Sequence, residues 1–270
     1  VTQVMGPLAK EIKAKNIKVV SNAGGVNPHA CRAALEQVFA AAGVEMKIAL
    51  VEGDDLNARR SDFSDAKEME TGAPLPPFTV TMNAYLGALQ IKAALDAGAD
   101  IVITGRIADS ALVLGPLLKE FNWSMDDYDK LAQGSLAGHV IECGAQCNGG
   151  NFTDWEQVPD FDNMGFPVAE CFDDGSFIIT KPDNTGGLIS CATVGEQIVY
   201  EIGDPRAYIL PDVVCDFTEV KLEQVGDNRV KVSGAKGLPP TDTYKDSATY
   251  PDAHRILASL LMGGLRAREK

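Results

Sequence analysis

The apolar run Ile101-Val102-Ile103-Thr104 stops at Gly105 and gives way to Arg106-Ile107-Ala108-Asp109-Ser110, then to the helical stretch Ala111 to Pro116. This is the strand, loop and helix unit of an open α/β sheet. Such sheets place ligand-handling groups outside the carboxyl ends of their strands, beside a helix N-terminus. Arg106 carries a fork of donors that matches a carboxylate or phosphate and stays charged at any working pH. Asp109 sits where a helix cap is expected, and that is its first reading; a proton-transfer role is the second.

The same unit recurs upstream. Ile17–Val20 reads as a strand, Ser21 to Pro28 as a polar turn, and His29–Ala42 as a helix closed by Gly43. Met46–Val51 is the next strand, ending in Glu52-Gly53-Asp54-Asp55. A charged stretch, 57–77, follows, and the periodicity predicts one helix over 83–97 before the strand at 100–104. Downstream, helices are expected up to Leu131 and again over Ser135–Cys147. Hairpins are expected around Asp173 to Ser176 and around Gly226-Asp227-Asn228, and a helix over 189–199. The fold class is therefore α/β: a mainly parallel sheet with flanking helices, followed by a smaller β-rich, hairpin-containing part. The expected division is 1–165 for the α/β domain and 166–270 for a β-rich continuation packed on it.

A chain of 270 residues with 45% hydrophobic residues can bury a core without metal or disulfide staples. The formal net charge of −14 opposes binding to nucleic acid or to an anionic membrane surface, though not to a small anionic ligand. No apolar run is long enough to span a membrane. The six cysteines form no CxxC pair, which suits reduced thiols and an intracellular, cytoplasmic setting, or the mitochondrial matrix in a eukaryote. The chain opens on Val1, as a processed or partial stretch would.

Four groups of residues could carry chemistry. Asn22, Gly24, Gly25 and Asn27 form a glycine-rich turn whose backbone N–H groups suit an anion. Asp54 and Asp55 could bind hydroxyls or, as a weaker alternative, a divalent cation. His139 and Glu142 share a helical face with Cys143, so they could move a proton, or Cys143 and His139 could act as a nucleophilic pair; a structural histidine is the plainer reading. Asn184, Thr185 and Gly186 form a second glycine-rich turn. Because Asn22, Asp54 and Arg106 each follow a strand, a parallel sheet would gather them on one edge. The other histidines are His29 and His254.

Taken in order, the runs Ser21 to Pro28, Gly53-Asp54-Asp55, Thr104 to Ser110, Gly138 to Gln146, Gly149-Gly150-Asn151-Phe152 and Thr185-Gly186-Gly187 resemble the acyclic terpene utilisation, or AtuA-like, family from about residue 17 to about residue 235. The resemblance implies a part in breaking down acyclic terpenes such as citronellol and geraniol, alongside acyl-CoA carboxylases. It also implies longer chains at both ends, with some relatives fused to carboxyltransferase domains. The polar groups at the strand ends favour an enzyme of branched or terpenoid acyl-CoA catabolism, of lyase, hydratase or isomerase type, over the alternative that the fused relatives suggest, an accessory partner of a biotin-dependent acyl-CoA carboxylase. On that reading the catalytic candidates are Asp109, His139 and Glu142. Asn22, Gly24, Gly25, Asn27, Asp54, Arg106, Asn184, Thr185 and Gly186 contact the ligand. The substrate is a small anion or CoA thioester, no separate cofactor is expected, and the protein is a homo-oligomer.

Overall fold

The computed structural model describes residues 2–25 and 27–252. In the first half, α1 (Thr2–Ala14), β1 (Val19–Ser21), α2 (Pro28–Ala41), β2 (Ile48–Val51), β3 (Thr81–Ala84), α3 (Leu89–Asp96), β4 (Ile101–Thr104) and α4 (Ala111–Glu120) follow one another. β1, β4 and β2 pair in that order and run parallel, with Val102 beside both Val20 and Ala49. β4 is thus central, and its alternating side chains serve two cores. Ile101 and Ile103 pack with Ala9, Leu35 and Phe39 of α1 and α2. Val102 packs on the other face, in the core that holds Ile91, Leu95 and Leu114.

The second half holds α5 (Tyr128–Glu142), β5 (Val168–Cys171), β6 (Phe177–Thr180), α6 (Cys191–Val199), β7 (Tyr208–Ile209), β8 (Val214–Asp216), β9 (Lys221–Gly226), β10 (Arg229–Ser233), β11 (Lys236–Leu238) and β12 (Asp246–Thr249). β5-β6-β10-β9 and β11-β8-β7 are antiparallel sheets, and both hairpins expected from the sequence are present. Their apolar faces join the main core, which runs from Val51 to Ala235 across both halves.

Two expectations need correction. Residues 83–97 are not one helix: Asn83 and Ala84 belong to β3, which pairs antiparallel with β12, and α3 starts only at Leu89. Nor is there a break after Leu131. α5 runs unbroken, with every residue from Leu131 to Val140 buried. A helix covered on all sides needs no amphipathic stripe, so its periodicity is weak. The buried Gln133 ties the middle of the helix to the end of β10 and the residues after it by donating to the Val232 carbonyl (3.2 Å) and accepting from the Ala235 N–H (2.9 Å). Gly138 lets α4 approach, because a Cβ there would lie 2.6 Å from the Ser110 carbonyl oxygen.

Asp100 staples the sheet's amino-terminal edge. It accepts from Lys18 Nζ (2.9 Å), Lys13 Nζ (3.0 Å) and the Lys47 backbone N–H (3.1 Å). Burial pushes its carboxyl up, but these donors outweigh burial and hold it well below the usual carboxylate range. A depressed folded pKa contributes stability that is present above the unfolded value near ~3.9 and lost as the pH falls below it. Asp100→Asn is therefore expected to be less stable than the parent in urea at pH 7, with the difference shrinking at pH 3. An unchanged difference at the two pH values would remove the electrostatic account.

Candidate functional site

The loops after β1, β2 and β4 meet at one edge, as the parallel order requires. Asp54, 6% exposed, organises them. Its Oδ2 accepts from the Arg106 backbone N–H (2.7 Å) and from Asn83 Nδ2 (2.9 Å). Where the strand ends, Gly105 leaves room for the Asp54 carboxylate, which any Cβ there would strike. Asp54 thus positions Arg106, whose guanidinium lies over the Tyr85 ring with Cζ 5.3 Å from its centroid. Asp55 accepts from the Asn57 N–H in a local turn (2.9 Å). Among the described residues no group of three or more His, Cys, Asp and Glu side chains could hold a metal ion.

Asp109 does not cap α4. The cap position belongs to Ser110, without a side-chain hydrogen bond, and Asp109 Oδ1 instead accepts from Asn22 Nδ2 at 3.2 Å. The loop turns the carboxylate sideways across the sheet edge, into a cavity of about 190 Å³. His139 and Glu142, at the carboxyl end of α5, line the same cavity, together with Glu201 and Tyr208. All three proposed proton-transfer residues are therefore brought together, with Asn22 bound to one of them. Leu210 and Pro211 also line it, and the neighbouring Asp212 anchors that segment by accepting the Ala88 N–H at the start of α3 (3.0 and 2.9 Å).

Burial is the main influence on Asp109, and it raises the carboxyl above its ordinary value. Glu142 and Glu201 push the same way, and Arg106 opposes them. His139 moves oppositely: burial lowers its pKa, against smaller raising effects from hydrogen bonds to the Ile198 and Gln197 backbone and from Glu142 and Glu201. Its Nε2 lies 3.1 Å from the Gln197 carbonyl oxygen. A carbonyl only accepts, so Nε2 carries the proton and Nδ1 keeps its lone pair. Gln197 Nε2 returns a hydrogen bond to the His139 carbonyl (3.3 Å), clamping α5 to α6. Burial and a 2.6 Å hydrogen bond to Glu142 push the Cys143 thiol up to about 11, so it stays protonated and is no nucleophile at neutral pH.

The glycine-rich turns hold structure rather than the cavity. Asn27 caps α2 by accepting the Ala30 N–H (2.9 Å). Gly24 is pressed on β4, where a Cβ would lie 2.7 Å from Ile103, and the Gly25 N–H bonds the Asn22 carbonyl (3.2 Å). In the later turn, Asn184 adopts φ 59° and Thr185 donates to the Pro182 carbonyl (2.6 Å). The Gly186 N–H bonds the Asn163 carbonyl (2.8 Å). None of Gly24, Gly25, Asn27, Asn184, Thr185 and Gly186 lines the cavity. His29 pairs with Glu52 (2.9 Å), and His254 lies outside the described residues.

Several lining residues escape sequence reasoning, Tyr85, Glu201, Tyr208 and Lys245 among them. Tyr85 is hidden in the misassigned helix, and Lys245 arrives through the β3–β12 pairing. Tyr208 stands on a two-residue strand, its ring 5.9 Å from that of His139. Glu201 has φ 59°, a left-handed backbone rare for a side-chain-bearing residue and a feature that gathers at functional sites.

A parallel sheet whose carboxyl edge opens on an acid and imidazole cavity defines an α/β protein with a candidate site at the strand ends. The family model described as acyclic terpene utilisation family protein AtuA matches residues 1–270. The chain belongs to this family, and membership ties it to acyclic terpene utilisation. Neither a curated protein nor a solved structure matches it. Among the described residues, no helix is long and apolar enough to cross a membrane.

Proposed function

We propose that the cavity is an active site for proton transfer on a branched or terpenoid acyl-CoA, in a lyase, hydratase or isomerase reaction. The observation that supports this best is the opposed tuning of Asp109 and His139 in one cavity. A carboxyl driven up moves from its ordinary value toward working pH, and an imidazole driven down is a free base there, so one can give a proton where the other can take one. In a hydration, His139 Nδ1 takes a proton from water as its oxygen bonds to Cβ. Asp109 then delivers a proton to Cα, so the double bond is saturated and both groups have exchanged charge states. A lyase runs these steps in reverse, and an isomerase takes the first proton from carbon. Burial first, and Glu142 and Glu201 after it, favour the protonated form of Asp109.

The cavity of about 190 Å³ is smaller than the ~300–1,000 Å³ of sites that enclose drug-sized ligands. It suits the reacting acyl end, with the nucleotide portion of CoA outside. Incubation of the purified protein with isohexenylglutaconyl-CoA, methylglutaconyl-CoA and related unsaturated thioesters, followed by mass spectrometry in deuterated water, tests the reading. Exchange or addition at Cα is expected. Absence of both across the series would overturn it.

A further inference from the structure

We propose that Arg106, Tyr85 and Lys245 form an anion site at the edge of the cavity, which holds a phosphate or carboxylate of the ligand whose other end reaches Asp109. The proposal rests on the proton-transfer reading for what the anchored ligand then undergoes, but the site itself stands on geometry. Arg106 Cζ and Lys245 Nζ lie 5.3 and 5.7 Å from the centroid of the same Tyr85 ring. A ring face attracts a cation without using its N–H groups. The in-plane edge of the guanidinium and the ammonium donors are therefore left for a ligand. Among the described residues neither side chain is within ion-pair distance of a carboxylate; the hydrogen bond recorded for Arg106 comes from its backbone N–H.

Contrast with Arg229 shows what is unusual. Arg229 spends both prongs of its fork on Glu170 (2.9 and 2.5 Å), and Lys13 and Lys18 are both spent on Asp100. In a chain of net charge −14, two cations brought to one ring with their donors open are an exception. Their arrangement is fixed by the backbone. The Tyr85 N–H donates to the Lys245 carbonyl (2.9 Å), Leu86 N–H to the Arg106 carbonyl (3.4 Å), and Asp54 grips the Arg106 N–H. Sharing one ring leaves the two cations no more than about 11 Å apart, a span that an anionic group at the ring edge can address from both sides. Phosphate and carboxylate oxygens present the same acceptor chemistry to such a pair.

Isothermal titration of the whole chain with inorganic pyrophosphate, coenzyme A and glutarate tests the site, using Arg106→Gln, Lys245→Gln and the charge-retaining Arg106→Lys. Each neutral variant is expected to bind the recognised anion about tenfold more weakly, and added salt to weaken the parent. Arg106→Lys should fall between, since it keeps charge but loses the fork. Binding of coenzyme A and pyrophosphate without glutarate marks a phosphate as the natural anion; glutarate alone marks a carboxylate. The site is overturned if the parent binds none of the three probes, or if both neutral variants match the parent. Failure of the two proposals is separable. Arg106-dependent anion binding without any thioester chemistry removes the proton-transfer reading and leaves the site. Thioester turnover with kcat and KM unmoved by both neutral variants does the reverse.

Discussion

Asp109→Asn is expected to lower kcat by about 10²–10⁴-fold while leaving stability within about 0.5 kcal/mol of the parent. Asparagine keeps the oxygen that accepts from Asn22 Nδ2 but has no proton to give. A helix cap would behave differently, because Asn caps as well as Asp and activity would be untouched. The pH profile carries the sharper signature. His139 must be neutral to act as a base, so activity rises with pH as it loses its proton, below the ordinary histidine range. Asp109 must be protonated to act as an acid, so activity falls as the pH passes its raised pKa. The variant is expected to lose the alkaline limb and keep the acidic one. A profile that keeps both limbs would remove Asp109 from the reaction, as measured by initial rates across pH.

Gly138→Ala is expected to impair stability and activity together. The added Cβ would meet the Ser110 carbonyl oxygen at 2.6 Å and the Ser110 Cα at 2.7 Å, which are backbone atoms and cannot rotate away. Overpacking of this kind costs about 1–3 kcal/mol, set against up to about 1 kcal/mol gained by replacing a helical glycine with alanine. The clash wins. Relief requires α4 and α5 to part, and Asp109 immediately precedes Ser110 while His139 immediately follows Gly138. Asp109 and His139, the two groups proposed to transfer protons, would separate as the helices do. Gly195→Ala in α6 is the control: its Cβ would have nothing nearer than 3.5 Å, so urea unfolding should show no loss. If Gly138→Ala unfolds at the same urea concentration as the parent, the tight α4–α5 contact is not what sets the cavity.

The parallel part of the fold was legible because each strand there is an apolar run followed by its own loop and helix, a local pattern. That is why Asn22, Asp54 and Arg106 could be placed at one edge from sequence. β3 was not legible, since its partner is far along the chain and its residues also fit a helical period. α5 was misdivided because burial on every side erases the polar stripe that marks helix limits. Within the candidate site, Asp109, His139 and Glu142 were nameable from residue type and spacing. The role of Asp109 was not: a carboxylate before a helix reads as a cap, and only the sideways turn of the loop sends it to Asn22 instead. Asn27, by contrast, had the same capping chemistry and does cap. Tyr85, Glu201, Tyr208 and Lys245 reach the cavity through tertiary pairing or an unusual backbone angle, and neither leaves a local trace.

The β3–β12 pairing bears on how the protein is made. Thr81 and Thr249 share a hydrogen bond across 168 residues, and Lys245 reaches Tyr85 through the same ribbon. A ribosome therefore releases the sheet, the helices and the acidic lining of the cavity well before the second cation of its rim. Closing so distant a pair is a slow step in folding. The nascent chain can close the wall that Thr243, Tyr244 and Lys245 give the cavity only after every strand of the parallel sheet has been made.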